Sequence, residues 1–197
     1  MPQRLAVWAG LIGPIVLGSA FVLLSILQYP FMQSLGWHPL TAPTADWPSG
    51  LALGPLGGWM IASFAFTGIC LLLFARGVIN AFANNRAGRI GGYLLLLAAV
   101  GMLGLSFPTD PTNGPDPATL NGRLHDLSYV VFALGFFPAL LALTIAFAGE
   151  PHWRVLMWPS LVVALLVGPA FVLKGALFYG LILAGLTWCL LVAYRLR

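Results

Sequence analysis

The sequence predicts an all-α integral membrane protein: one bundle of six transmembrane helices with both termini in the cytoplasm. Three observations lead there. The chain is 60% hydrophobic with a mean hydropathy of +0.95, whereas an ordinary soluble domain runs about 45–50% apolar and about 25% charged. Its apolar residues fall in runs close to the ~20 needed to cross a bilayer core. Its 9 Lys/Arg and 5 Asp/Glu among 197 residues divide by sign between those runs. Arg4, Arg76, Arg86, Arg89, Arg154, Arg195 and Arg197 fall on one side of the expected membrane, and Asp46, Asp110, Asp116 and Asp126 on the other. Basic residues mark the cytoplasmic side, so the acidic groups, with His38 and His125, belong to the outer face.

The expected helices are residues 5–27, 56–74, 90–107, 127–147, 155–173 and 177–194, forming a single transmembrane domain over 1–197. The first apolar stretch is longer than the 7–15-residue core of a signal peptide and lacks a small-residue cleavage site, so it is read as a retained helix. The inner connections, 75–89 and 148–154, are basic and short respectively. The outer connections, 28–55 and 108–126, are long and rich in Pro, Gly, Thr and Asn. Loops of that length inside a compact domain are usually functional or disordered. The first carries Trp37 and Trp47, whose rings favour the head-group level, and is expected to lie on the membrane surface as a lid. Pro169, Lys174 and Gly175 mark a tight outer turn between the last two helices.

Small residues recur on the helices at Gly10 and Gly13, Ala62 and Ala65, Gly88 and Gly92, Gly101 and Gly104, and Gly180 and Gly185, which permits close helix approach. Pro14, Pro138, Pro159 and Pro169 each remove a backbone donor. Cys70 and Cys189 sit inside apolar runs and are read as small buried hydrophobes, with no Cys/His spacing for zinc or redox chemistry. The net charge of +4 comes from residues at helix ends, where they meet lipid head groups. Membrane lipids, another membrane protein or a second copy are the expected partners, and nucleic acid is not. Helix interiors without carboxylate relays argue against an ion channel or a proton pump.

Chemistry is expected at the outer face. Pro108 biases Phe107 away from helix and leaves Asp110 just outside the hydrocarbon. Asp126 suits the first turn of the fourth helix, where the helix dipole favours an anion, and His125 shares a face with Ser128 and Tyr129. A histidine beside carboxylates can bind a divalent metal, act as a general base or change charge near neutral pH; it can also be an ordinary interfacial residue. Asp110 and His125 are the candidate metal pair. Lys174 is a cation on the acidic side, placed to pair with Asp46, Asp110 or Asp126, or, with Arg123, to hold an anionic lipid group. Asp116 lies in a Gly-Pro-Asp-Pro turn, read as solvated. His152, beside Trp153 and Arg154, reads as an inner interface anchor.

The order Asp46-Trp47-Pro48-Ser49, then Phe107-Pro108-Thr109-Asp110, then His125, and finally Trp188 and Ala193-Tyr194-Arg195-Leu196 resembles the prokaryotic six-helix membrane proteins called the domain of unknown function 998 family. The likeness covers essentially the whole chain. Short motifs carry it, specific in their order more than one by one. It departs from the family's first-loop Ser-Asp-Leu pattern, for which Asp46 to Leu51 is the nearest match in altered order. The resemblance implies a site at Asp110 and His125 without supplying a reaction. The residues therefore support two expectations. One is a membrane protein whose outer pocket, built from Asp110, His125, Asp126, Lys174, Asp46 and Arg123, binds a lipid head group, small ligand or partner protein. The other is an intramembrane metal-assisted hydrolase or transferase acting on a lipid-like substrate, against which stand the missing HExxH and GxSxG motifs.

Overall fold

The computed structural model describes residues 3–37, 48–111, 118–173 and 175–197, with side chains throughout except at 168–177. The described residues form helices and turns and no strand. The helices are α1 (Gln3–Leu27), α2 (Tyr29–Ser34), α3 (Gly57–Ala81), α4 (Arg86–Gly104), α5 (Leu120–Gly149), α6 (Met157–Leu173) and α7 (Gly175–Arg195), with 3-10 turns at Pro48–Leu53 and Arg154–Leu156. Among the described residues, five helical stretches are long and apolar enough to cross a membrane: α1, α3, α4, α5 and Phe178–Arg195 of α7. The chain therefore has the make-up of a multi-pass membrane protein. With 17 residues, α6 is ~26 Å long at 1.5 Å per residue, slightly short of the ~30 Å hydrocarbon core.

Helix ends differ from the expected ones where a cap or a buried face overrides hydropathy. α3 continues past residue 74 to Ala81 because Gly77 and Val78 are buried, Gly77 against Ala6. α4 begins at Arg86, where the Asn85 side chain accepts the Gly88 N–H at 3.0 Å. α5 begins at Leu120, well before residue 127, because the Thr119 hydroxyl accepts the Gly122 N–H at 3.0 Å as its N-cap. Asp126 therefore lies more than a turn inside α5, not in its first turn.

The long helices form a closed ring in chain order. α1 packs on α3, α3 on α4, α4 on α5, α5 on α6, α6 on α7, and α7 returns to α1. Six equal cylinders in a ring enclose a hole as wide as one of them, about 10–12 Å for a helix with its side chains. Inward-facing side chains must fill that hole or leave a cavity. The tightest seam is α4 on α5, where a Cβ on Gly101 would strike the Phe132 backbone and one on Gly135 the Ala98 backbone. Such contacts are open only to glycine, and in lipid they supply the dispersion energy that water would otherwise add through the hydrophobic effect. Gly10 and Gly13 do the same for α1 against Phe74 and Cys70 of α3, whereas Gly180 meets nothing.

One end of the ring is sealed by aromatic packing. Trp153 stacks on Phe147 at 5.5 Å and packs against Phe82 at 5.0 Å. Trp153 is thus a buried plug, and its exposed neighbour His152 reaches the Arg195 carbonyl at 3.3 Å. Gly77 sits between Ala6 and Leu196, so both chain ends share this end with the α3–α4 connection and with every arginine except Arg123. At the other end Gln28 is buried, and its side-chain N–H donates to the Leu51 carbonyl at 3.0 Å while its oxygen accepts the Leu56 N–H at 2.9 Å. This clamp folds the first long loop back onto the bundle. Trp37 follows it inward: it is 5% exposed and packs on Tyr29 and on Tyr179 of α7 at 6.0 and 6.1 Å. The expectation of Trp37 at the membrane surface is corrected, because α2 turns the chain over the ring before Trp37 is reached. Trp47 and His38 lie outside the described residues.

Candidate functional site

The hole predicted by ring geometry is present. A cavity of about 390 Å³ runs down the centre of the ring between α1, α3, α4, α5 and α7. Its walls are almost wholly apolar, with Phe21, Phe64, Phe132, Phe136 and Phe137 among the lining residues. On α5 the lining extends from His125 to Phe137, and on α1 from Ala9 to Phe21; each is a rise of ~18 Å at 1.5 Å per residue. Both helices thus give the same depth, about half the thickness of a ~30 Å hydrocarbon core. Polar lining residues concentrate at one end, where Ser49, Thr109, His125 and Asp126 meet. Thr67, whose hydroxyl donates to the Gly13 carbonyl at 3.2 Å, lies farther down, as do Cys70 and Cys189.

His125 is the centre of the polar end. It is 4% exposed, with its ring edge-on to Phe64 at 6.4 Å. Nδ1 lies 2.7 Å from the Phe107 carbonyl oxygen. A carbonyl only accepts, so Nδ1 carries the proton and donates, and Nε2 is the nitrogen left for a ligand. The helix break at Pro108 has a direct use here: it frees the Phe107 carbonyl from the α4 ladder to orient the imidazole. The side chain of Asp126, exposed beside His125, makes no hydrogen bond or ion pair among the described residues, and neither does the side chain of Arg123, which is exposed and does not line the cavity.

Asp110 has a different engagement. One carboxylate oxygen accepts the Thr119 N–H at 2.8 Å and the other the Thr119 hydroxyl at 2.6 Å. Thr119 caps α5, so Asp110 holds the start of the helix that carries His125 and does not itself line the cavity. Tyr129 lines the cavity one turn below His125, whereas Ser128 faces α4, its hydroxyl beside Gly104 and donating to the Leu124 carbonyl at 2.6 Å. Asp46 and Asp116 lie outside the described residues, as does the side chain of Lys174. Among the described residues no group of three His, Cys, Asp or Glu is placed to hold a metal ion.

The family model described as "Protein of unknown function (DUF998)" matches residues 15–195. The chain belongs to the DUF998 family. The match takes in the helix break at Pro108, the Asp110–Thr119 clamp, His125, Asp126 and nearly all of the cavity wall of this DUF998 chain, leaving out only the first turns of α1. No curated protein and no solved structure matches it.

Sequence reasoning missed the cavity itself. Its aromatic wall reads in sequence as ordinary lipid-facing or core residues, and only ring closure turns it inward. One signal was available: His125 and Tyr129 stand on the same helix face as Phe132 and Phe136, at spacings of three and four.

Proposed function

We propose that this protein crosses the cell membrane six times with both termini in the cytoplasm and binds a single-chain amphiphile. The aliphatic chain occupies the ring cavity and the head group meets His125 and Asp126 at the outer face. The observation that carries the reading is the union of an apolar cavity about one leaflet deep with a polar end built on a buried, oriented histidine. A water-soluble ligand would leave the phenylalanine walls unsatisfied, and a purely apolar one would leave Nε2 of His125 and the Asp126 carboxylate unused. With Nδ1 committed to Phe107, the neutral ring accepts at Nε2 and the Asp126 carboxylate accepts beside it, a pairing suited to a hydroxyl-bearing head group. Arg123 and Lys174 are the candidate cations for this end, with Asp46 the further acidic candidate, and Asp110 acts by positioning α5.

Exposed tryptophans at both ends of the ring support the membrane placement. Trp59 opens α3 at the outer end, and Trp8 and Trp158 lie near the opposite end, as in the aromatic belts of membrane proteins. From Trp59 to Arg76 on α3 the rise is ~26 Å at 1.5 Å per residue, close to a hydrocarbon core.

The test is retention of 1-monoacylglycerols by the full chain in lipid nanodiscs, read by native mass spectrometry. The wild type is expected to hold one molecule per chain. Asp126→Asn and His125→Gln should lower retention at least tenfold, the scale of ~1.4 kcal/mol, with the fold intact by melting. A wild type that holds none, or variants that hold as much as the wild type, would refute the reading.

A further inference from the structure

We infer that the cavity measures length: its floor at Gly10, Phe74 and Cys189 sets the preferred size of one unbranched aliphatic chain. This rests on the amphiphile reading above. At about 390 Å³ the cavity is near the lower end of the ~300–1,000 Å³ typical of ligand sites, room for one chain and not for the paired chains of a phospholipid. Its lower end is blind. Beneath the last lining residues, Ala75, Val78, Val192 and Ala193 are fully buried, and the Phe82, Phe147 and Trp153 cluster seals the ring below them.

The floor is also unyielding. Where Gly10 would carry a Cβ, the Phe74 ring is the nearest neighbour and the Ala193 Cβ stands at 2.8 Å, so α1, α3 and α7 are already in contact there. At the other end His125 is fixed by the Phe107 carbonyl. The distance between head-group anchor and floor is therefore set by packed helices on both sides, as two fixed stops require.

Inside a bilayer, moving a chain from lipid into the cavity gains no hydrophobic energy, so contact with the walls decides. A chain that stops short leaves a void at the floor, whose lining loses its dispersion partners. A chain that is too long must buckle or lift its head group from His125. Retention should thus pass through a maximum with length, where simple partitioning would give none.

The experiment uses saturated 1-monoacylglycerols of graded length, at equal mole fraction in nanodiscs, with bound species read by native mass spectrometry. Retention is expected to peak at one length and fall roughly tenfold for chains about four methylenes longer or shorter. Cys189→Phe, which fills the floor, should move the peak to shorter chains, and Phe74→Leu, which lowers it, to longer ones. Retention that is equal across lengths, or a peak unmoved in folded variants, overturns the length stop while leaving amphiphile binding in place. Absence of any bound monoacylglycerol overturns both. The wild-type profile decides the matter even where a variant fails to fold.

Discussion

Two polar side chains at the end of the ring opposite the chain termini carry more structure than their sequence context suggests. Gln28 satisfies one backbone acceptor and one donor between parts of the chain more than twenty residues apart. Removing it leaves the buried Leu51 carbonyl without this donor, at about 1–3 kcal/mol, and takes the acceptor from the Leu56 N–H, which sits on an exposed residue. Gln28→Ala should therefore cost about 1–3 kcal/mol and lower the melting temperature; a variant that melts with the wild type contradicts the clamp. Asp110 and Thr119 form the second device. A double-mutant cycle with Asp110→Ala and Thr119→Ala should give a coupling of about 1–2 kcal/mol in chemical or thermal unfolding, the scale of charge-assisted hydrogen bonds in contact. Additive losses would show that the two residues act independently. Asp110 was legible as a residue of interest from the Pro108 break, but its engagement with Thr119 was not: the pair closes a loop, and no local pattern encodes which hydroxyl the carboxylate will meet.

Helix seams are set by what glycine leaves out. Gly101 and Gly135 let α4 and α5 touch backbone to backbone. Adding a β-branched side chain forces the helices apart along their whole length, so Gly135→Val should abolish accumulation of folded protein, beyond the ~1–3 kcal/mol of ordinary overpacking. Gly180→Ala meets open space and should change the melting temperature little. Equal behaviour of the two variants in a detergent-melting assay would contradict the seam. A polar lock holds the seam of α6 on α7. There the buried Ser160 hydroxyl accepts the Trp188 indole N–H at 2.7 Å and donates to the Leu156 carbonyl at 2.7 Å. Ser160→Ala strands the indole donor and should cost about 1–3 kcal/mol, read as a lower melting temperature. The glycine pairs were visible in sequence as permission for close packing. Which of them touch backbone, and which look onto open space, depended on the rotation of each helix, a property that hydropathy does not carry.

At the scale of the molecule, ring closure makes the cavity and fixes which residues share an end. Gly77 between Ala6 and Leu196 joins both termini to the α3–α4 connection, and the Asp110–Thr119 clamp belongs to the opposite end. The proposed orientation has a direct test. Single cysteines at Asn84 and Arg197, in a background where Cys70 and Cys189 are buried, should resist an impermeant thiol reagent in intact cells, and one at Ala118 should react. Labelling of Asn84 or Arg197 from outside would invert the topology and move His125 to the cytoplasmic face.

Local patterning along the chain was enough to establish that it is helical, that its helices are long and apolar enough for a membrane, where most of them lie, and that His125 belongs to the opening of the fourth apolar run. Those properties are local: runs of apolar residues, a proline, a charge at a run's end. Tertiary structure decided the rest. The order of neighbours around the ring, the inward turn of Trp37, the binding of Asp110 to Thr119 and the cavity below His125 all depend on contacts between residues far apart in the chain. In an apolar sequence the inward and outward faces of a helix look alike, because lipid and protein core accept the same side chains. Only the closing of six helices on one another separates the faces that meet lipid from the faces that line the cavity.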